Sequence, residues 1–224
     1  MKDIVLLTSV INSGNIPWTY STVRSAFTPE QRFEQLRGSI QSIRTFLPTA
    51  QIIIIECSEI PETYEAVLRQ SVEYYVNLYS HEETRKICVG SNKKALGEAM
   101  QIKCALDYIV NNRIQFHRFF KLSGRYYLTE RFKQELFSSE KFTFKKGIYC
   151  GNGVTAHSTV LYSFPMHLFN VFYNGVEETI QYCKDHEHRG IEELLPPLCE
   201  PKVEVEMTGA SGLVAVENNI LIEA

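Results

Sequence analysis

The sequence contains no long apolar run, no cysteine pair at metal spacing, no internal repeat, no low-complexity tract and no excess of positive charge. Each absence removes a class of protein. The longest apolar stretches, "IVLL" and "IIII", fall far short of the roughly 20 residues that cross a bilayer, so no integral membrane segment is expected. The six cysteines, Cys57, Cys88, Cys104, Cys150, Cys183 and Cys199, are scattered without a Cys-x-x-Cys or a Cys/His pair at zinc spacing, and they read as reduced, mostly buried thiols. A net charge of -3 argues against non-specific nucleic-acid binding. No Pro/Gly/Ser linker divides the 224 residues, a length that fits one domain. The opening "MKDIVLLTSVINSG" carries Asp3 and then a strand-length apolar run without a small-residue cleavage site. It reads as a first strand and not a signal peptide, which makes the cytoplasm the default location.

What is present is an alternation of strand and helix signals. "DIVLLTSVI" reads as a buried strand, followed by a long polar and aromatic loop, "NSGNIPWTYSTVRSAF", of a length that usually accompanies function. Thr28-Pro29-Glu30-Gln31 then announces a helix, with Thr as N-cap, Pro at the first helical position and Gln closing a capping box. Phe33, Leu36, Ile40, Ile43 and Leu47 make its apolar stripe, leaving Arg32, Arg37 and Arg44 on other faces. "QIIIIECS" is the continuous β-branched pattern of a parallel strand covered on both sides. A helix over about Glu62 to Gln70 and the strand "EYYVNLY" complete a βαβαβ start. The expected fold is therefore α/β, one domain with a mostly parallel central sheet flanked by helices.

A third helix begins within "GSNKKALGEAMQIKCALDYIV", with Ala99, Ile102, Ala105, Leu106, Ile109 and Val110 facing inward. Lys93 and Lys94 stand at its start, where the helix dipole disfavours cations unless an anion is near; solvated loop lysines are the plain alternative. Beyond this point the pattern is more mixed. The strand "RFFKLSGRYYL" is followed by a predicted helix over Thr129 to Phe137, a strand region between Gly147 and Gly153, and the strand "TAHSTVLYSF". A helix starting at Pro165, a charged turn and short helix in "DHEHRGIEELL", and a strand with a Gly-containing loop in "VEVEMTGASGLVAVENN" complete the reading.

Open sheets of this type bind ligands beyond the carboxyl ends of their strands. Thr8, Ser9, Asn12, Glu56, Asn77 and Ser123-Gly124-Arg125 all fall there. The last three set a small residue, a glycine that permits close backbone approach and a fixed, planar cation suited to phosphate. The two glycines flanking Asn152 in "GNG" (151–153) read as a plain turn.

"RFEQLRGSIQSIRTFLPTAQIIIIECS", the "ALGEAMQIKCAL" helix and "FFKLSGRYYL", in that order, resemble the nucleotide-diphosphosugar glycosyltransferases of the GT-A fold, above all small enzymes that build surface or capsid glycans. The resemblance covers roughly the first 165 residues. It implies a GT-A-like, Rossmann-like domain whose first half, about 1–128, binds a nucleotide-diphosphosugar donor and whose second half, about 129–224, faces an oligosaccharide or glycan acceptor. It also implies a divalent metal, Mn or Mg, held on the diphosphate by an Asp-x-Asp. This sequence departs from the family there, since no Asp-x-Asp occurs and the corresponding place holds Ser123-Gly124-Arg125.

Loss of a diphosphate leaving group needs a metal or fixed cations to stabilise developing charge. The expected donor site is metal-independent, with Arg125 in part of the metal's role and Thr8, Asn12, Arg24, Glu56, Lys94, Gly97, Lys121, Ser123 and Gly124 around the donor. A structural pairing of Arg125 with Glu98 or Glu56 is the competing reading, and Arg24 either holds the diphosphate or ties its loop down. An inverting enzyme needs a carboxylate to take the acceptor proton. Neighbours on a helix point about 100° apart, so only one of Glu192 and Glu193 is expected to face a cleft; Glu192 is the candidate taken, with a solvated helix-start carboxylate as the plain alternative for either. His157 is placed on the acceptor side with Glu193. His186 and His188 with Glu187 read as a solvated turn more readily than as a metal site. Trp18 and Tyr20 either stack on a base or sugar or plug the sheet edge.

Two other classes compete with the glycosyltransferase. One is a non-catalytic nucleotide- or glycan-binding module of the same fold, which the missing Asp-x-Asp favours. The other is a different doubly wound enzyme such as a sugar nucleotidyltransferase, against which stands the lack of a Gly-rich loop after the first strand.

Overall fold

The computed structural model describes residues 1–18, 21–186 and 189–213 and the backbone of 221–223. The first half alternates as its apolar pattern demands: β1 (Ile4–Ser9), α1 (Pro29–Phe46), β2 (Gln51–Glu56), α2 (Glu62–Ser71), β3 (Tyr74–Asn77), α3 (Glu82–Cys88), α4 (Lys94–Asn111) and β4 (Arg118–Ser123). The chain continues through β5 (Tyr126–Leu128), β6 (Phe142–Lys145), β7 (Ile148–Gly151), β8 (Val154–Ala156), β9 (Leu161–Pro165), α5 (Phe169–Asp185), α6 (Ile191–Leu198), β10 (Lys202–Val205), β11 (Ala210–Leu213) and β12 (Leu221–Glu223).

Seven strands form the central sheet in the order β10-β6-β9-β4-β1-β2-β3. The β1, β2, β3 and β4 pairings are parallel, as is β10 with β6, while β9 is antiparallel to both β4 and β6. Six strands thus run one way and β9 alone runs the other. The fold is α/β with a mostly parallel sheet, as the sequence leads one to expect.

The β-branched run of β2 shows why the sheet is covered on both sides. Ile53 and Ile55 pack with Ile4 and Leu6 against α4, α5 and α6, whereas Ile52 and Ile54 pack with Val5 and Leu7 against α1 and α2. All four β2 isoleucines are fully buried, each contributing about 1.5–3 kcal/mol relative to exposure. The α1 stripe of Phe33, Leu36, Ile40, Ile43 and Leu47 is buried as its spacing requires. At the start of α1, Thr28 Oγ1 accepts from the Gln31 backbone N–H, and Gln31 Oε1 accepts from that of Thr28. Both halves of the capping box are formed.

Several expectations are corrected. The Thr129 to Phe137 segment is not an α-helix: it turns at Glu130–Arg131, where the Phe132 N–H donates to the Thr129 carbonyl at 2.9 Å, and again in a short 3-10 turn over Gln134–Leu136. Phe132 and Phe137 both pack on Phe120 and on each other, and their five-residue spacing fits an irregular chain folded over the sheet better than one helical face. Pro165 closes β9, and after a single turn over Met166–Leu168 the helix starts at Phe169. "TAHSTVLYSF" is broken at 157–160 into β8 and β9. Val110 lies beyond the buried stripe of α4 and is exposed. The short helix α3 is absent from the sequence reading. Among the described residues no helix is long and apolar enough to cross a membrane.

Candidate functional site

A cavity of about 370 Å³ opens at the carboxyl ends of β1 and β4. Thr8, Ser9 and Val10 form one side, Ser123, Gly124, Arg125 and Tyr126 the floor, and the first turns of α4 another wall with Lys94, Gly97, Glu98 and Gln101. Trp18 and Arg24 from the loop after β1, and Arg32 from α1, close it over. The second half of the chain supplies Ser158, Thr159, Val160 and Glu192. Because β9 runs against its neighbours, its N-terminal approach at 158–160 arrives at the same edge as the ends of β1 and β4. The Glu192 carbonyl accepts from the His157 backbone N–H at 2.9 Å, which fixes α6 beside that approach.

Gly124 is required by its own backbone. Its N–H donates to the Thr8 carbonyl at 3.1 Å, and a Cβ there would stand 2.7 Å from that oxygen and 3.2 Å from Leu36 Cδ1. The close approach expected toward a ligand is thus an approach to β1, which seats Arg125 in the cavity floor.

Arg125 is half-buried, and among the described residues its side chain makes no hydrogen bond and no ion pair. The pairing with Glu98 or Glu56 weighed from sequence is not formed. Arg32 reaches the same cavity, with Nε donating to the Val10 carbonyl at 2.7 Å and Nη1 to Ser25 Oγ at 3.2 Å. Burial, together with the charge of Arg125, pushes Arg32 down to about 9, against a partial counter-pull from Glu56. A guanidinium so placed is still charged at neutral pH. Arg32 and Arg125 thus share one cavity, with Arg24 and Lys94 also on its wall, an arrangement that an anion relieves.

Lys121 corrects another expectation. It is fully buried and does not line the cavity; it lies beneath the floor, where Nζ donates to Glu98 Oε1, to Ser123 Oγ at 2.7 Å and to the Thr159 carbonyl at 3.0 Å. Burial alone would raise the Glu98 carboxyl, but Lys121, with Lys94 and Arg125 adding to it, holds it below the ordinary carboxylate range.

Four further donor-site or acceptor-side expectations fail on geometry. Glu56 is fully buried and caps the neighbouring loops, accepting from the backbone N–H groups of Ile11, Cys57 and Ser58 and from Ser58 Oγ at 2.6 Å. Asn12 is exposed, outside the cavity wall, with its backbone N–H on Ser58 Oγ. His157 is buried against Glu204, with Nε2 2.7 Å from Oε1, and Glu193 lies beside Arg189 at 4.0 Å; neither lines the cavity. Thr8, Arg24, Lys94, Gly97, Ser123, Gly124, Arg125 and Glu192 do.

Of the two roles weighed from sequence, Arg24 takes the one of tying its loop down. It lines the cavity and also holds its loop, donating to the carbonyls of Ile16, Ser91 and Cys88 while its guanidinium lies 3.9 Å from the Trp18 ring centroid. Trp18 Nε1 donates back to the Arg24 carbonyl at 2.9 Å. Lys93 is the N-cap residue of α4, and its Nζ donates to the Lys184 carbonyl. Tyr20, Glu187 and His188 lie outside the described residues.

The sequence reading missed Arg32 and the cavity role of Glu98. A signal for Arg32 existed, since a cation in the first turns of a helix opposes the macrodipole. Among the described residues no three His, Cys, Asp or Glu come together as a metal site. Glu98 is already held by Lys121, and Arg125 stands where the resemblance would place metal-binding carboxylates, so the residues present do not fit a divalent ion.

No family model and no curated protein matches the sequence. Among solved structures, a nucleoside-diphosphate-sugar pyrophosphorylase from Vibrio cholerae RC9 is similar, with a TM-score of 0.50 over 85% of this chain and 85% of that one, at 9% identity. At that identity the likeness shows the fold alone.

Proposed function

We propose that the chain binds a nucleoside-diphosphate sugar in this cavity and transfers the sugar to a hydroxyl of a glycan acceptor. The observation that carries the reading is the convergence of Arg32 and Arg125, like charges on one cavity, with Arg125 lacking a side-chain partner among the described residues. A diphosphate is the ligand group that such a pair of planar donors suits. The likeness to a structure named as a nucleoside-diphosphate-sugar pyrophosphorylase supports the same ligand class.

In the reaction the bond between the anomeric carbon and the diphosphate oxygen breaks as the acceptor oxygen bonds to that carbon. The departing nucleoside diphosphate takes the electron pair, and Arg32 and Arg125 stabilise the charge that gathers on it. In an inverting reaction Glu192 accepts the proton of the acceptor hydroxyl. Its carboxylate lines the cavity near Thr159 Oγ1, at 3.5 Å, and forms no ion pair among the described residues.

The pyrophosphorylase-like fold favours a second reading, nucleotidyl transfer, in which a pyrophosphate oxygen would bond to the α-phosphorus of the sugar nucleotide as its bond to the bridging oxygen breaks, giving a nucleoside triphosphate and releasing the sugar 1-phosphate. One assay separates the two. Purified protein is given uridine, guanosine, cytidine or thymidine diphosphate sugars with glycan acceptors or with pyrophosphate, each in Mn²⁺ and in EDTA. Release of nucleoside diphosphate that depends on acceptor, persists in EDTA and is lost in Glu192→Gln supports glycosyl transfer. Triphosphate formation overturns it in favour of the second reading, and binding of the diphosphate without turnover identifies a binding module.

A further inference from the structure

Lys121 does more than fill a buried position. An ammonium has three donors and no acceptor, and all three are directed: to Glu98 Oε1, Ser123 Oγ and the Thr159 carbonyl. Two of those partners, Glu98 and Ser123, line the cavity. Since Ser123 Oγ accepts from Lys121, its own hydrogen remains to be donated elsewhere. Glu98 uses Oε1 for Lys121, and Oε2 makes no hydrogen bond among the described residues. The Glu98 side chain is 16% exposed. Lys121 therefore fixes, side by side in the cavity, one acceptor that stays ionised and one hydroxyl donor.

Resting on the reading of the cavity as a nucleoside-diphosphate sugar site, we infer that Glu98 and Ser123 form a hydroxyl-recognition subsite for the sugar half of the ligand, with Lys121 as its positioning residue. A sugar hydroxyl is at once donor and acceptor. Glu98 Oε2 accepts its hydrogen, while Ser123 donates to it or to its neighbour on the ring. The subsite complements the arginines: Arg32 and Arg125 select for phosphate, while Glu98 and Ser123 offer an acceptor and a donor to a neutral hydroxyl. The cavity thereby gains an orientation, with diphosphate toward the arginines and neutral sugar toward α4.

The test compares two probes by titration calorimetry, the nucleoside diphosphate that the wild-type protein binds and the same diphosphate carrying a neutral hexose. In wild type the hexose is expected to tighten binding. Glu98→Gln is expected to weaken the sugar nucleotide about tenfold, the scale of one charge-assisted hydrogen bond, while changing the bare diphosphate less than about threefold. Ser123→Ala acts in the same direction by about threefold. Because Glu98→Gln leaves Lys121 buried without a counter-charge, the pair Glu98→Gln with Lys121→Met, neutral on both sides, serves as the second variant. It restores thermal stability but not the contribution of the hexose. Equal changes for both probes in both variants overturn the subsite while leaving the diphosphate reading intact. A wild-type protein that binds no nucleoside diphosphate overturns that reading and the subsite with it.

Discussion

Arg32 on α1 and Arg125 after β4 come from elements more than 70 positions apart in the chain, yet their guanidinium groups bear on one cavity, and Arg125 helps depress the proton affinity of Arg32. Neither is neutralised by a carboxylate across an ion pair among the described residues. The molecule carries this repulsion in its ligand-free form, and an anion bound between the two removes it.

Arg125→Ala should therefore weaken binding of a nucleoside diphosphate by about tenfold or more, the loss of one or two charge-assisted hydrogen bonds at about 1.5–3 kcal/mol each. Thermal stability of the free protein should hold or rise slightly, because a repulsion disappears. Calorimetry at two salt concentrations checks both points, and the variant should show a shallower salt dependence than wild type. Unchanged affinity would remove Arg125 from the site.

Lys121→Ala should be among the most damaging single changes. It leaves Glu98 in a largely buried position without its ion-pair partner, a situation that costs about 3–5 kcal/mol. A fall in the denaturant midpoint measures it. A loss below 1 kcal/mol would mean that water enters beneath the cavity floor and solvates Glu98.

Gly124→Ala should destabilise by about 1–3 kcal/mol, since the added methyl meets the Thr8 carbonyl oxygen at 2.7 Å and one strand must shift. The same shift moves Arg125. Nucleotide affinity should fall along with the melting temperature, although the substitution removes no polar group.

Acid should weaken the fold through two carboxylates. Glu98 is held below its ordinary value of 4.5 by Lys121 despite burial, and Glu204 by its hydrogen bond to His157. Both folded values lie under the unfolded ones, so the unfolded chain binds protons first as pH falls. Their contribution is complete above about pH 4.5 and declines below it, through the depressed folded values. Urea midpoints measured between pH 6 and pH 3 should drop, and Glu98→Gln should flatten the curve.

The first half of the fold was readable because local signals there agree with tertiary packing. The Thr28 capping box, the α1 stripe and the isoleucine run of β2 each specify an element by short-range chemistry, and the sheet only has to accept them. The Phe132 and Phe137 region failed for the opposite reason, since two apolar side chains reach the sheet without a helical period between them and only their shared contact with Phe120 explains the path. In the site, Ser123 to Arg125 was legible as a strand end rich in ligand-type residues. Lys121 and Glu56 looked the same in sequence and proved internal. Alternation along a strand tells which face a residue occupies, but not whether another element covers that face. Arg32 was hidden by the converse problem, because an amphipathic pattern separates the buried stripe from the rest without saying which flank meets a cavity.

The reversed direction of β9 has a consequence for how the molecule assembles. Leu161, its first residue, pairs with Leu122 near the end of β4, so 158–160 enter the cavity only when β9 is docked. β1 itself pairs with β4 across more than 100 residues of chain, a long-range closure that forms slowly. A nascent polypeptide can build the β1-β2-β3 edge and still possess no ligand site. A ligand bound there would bridge segments from both halves of the chain and stabilise them together by mass action.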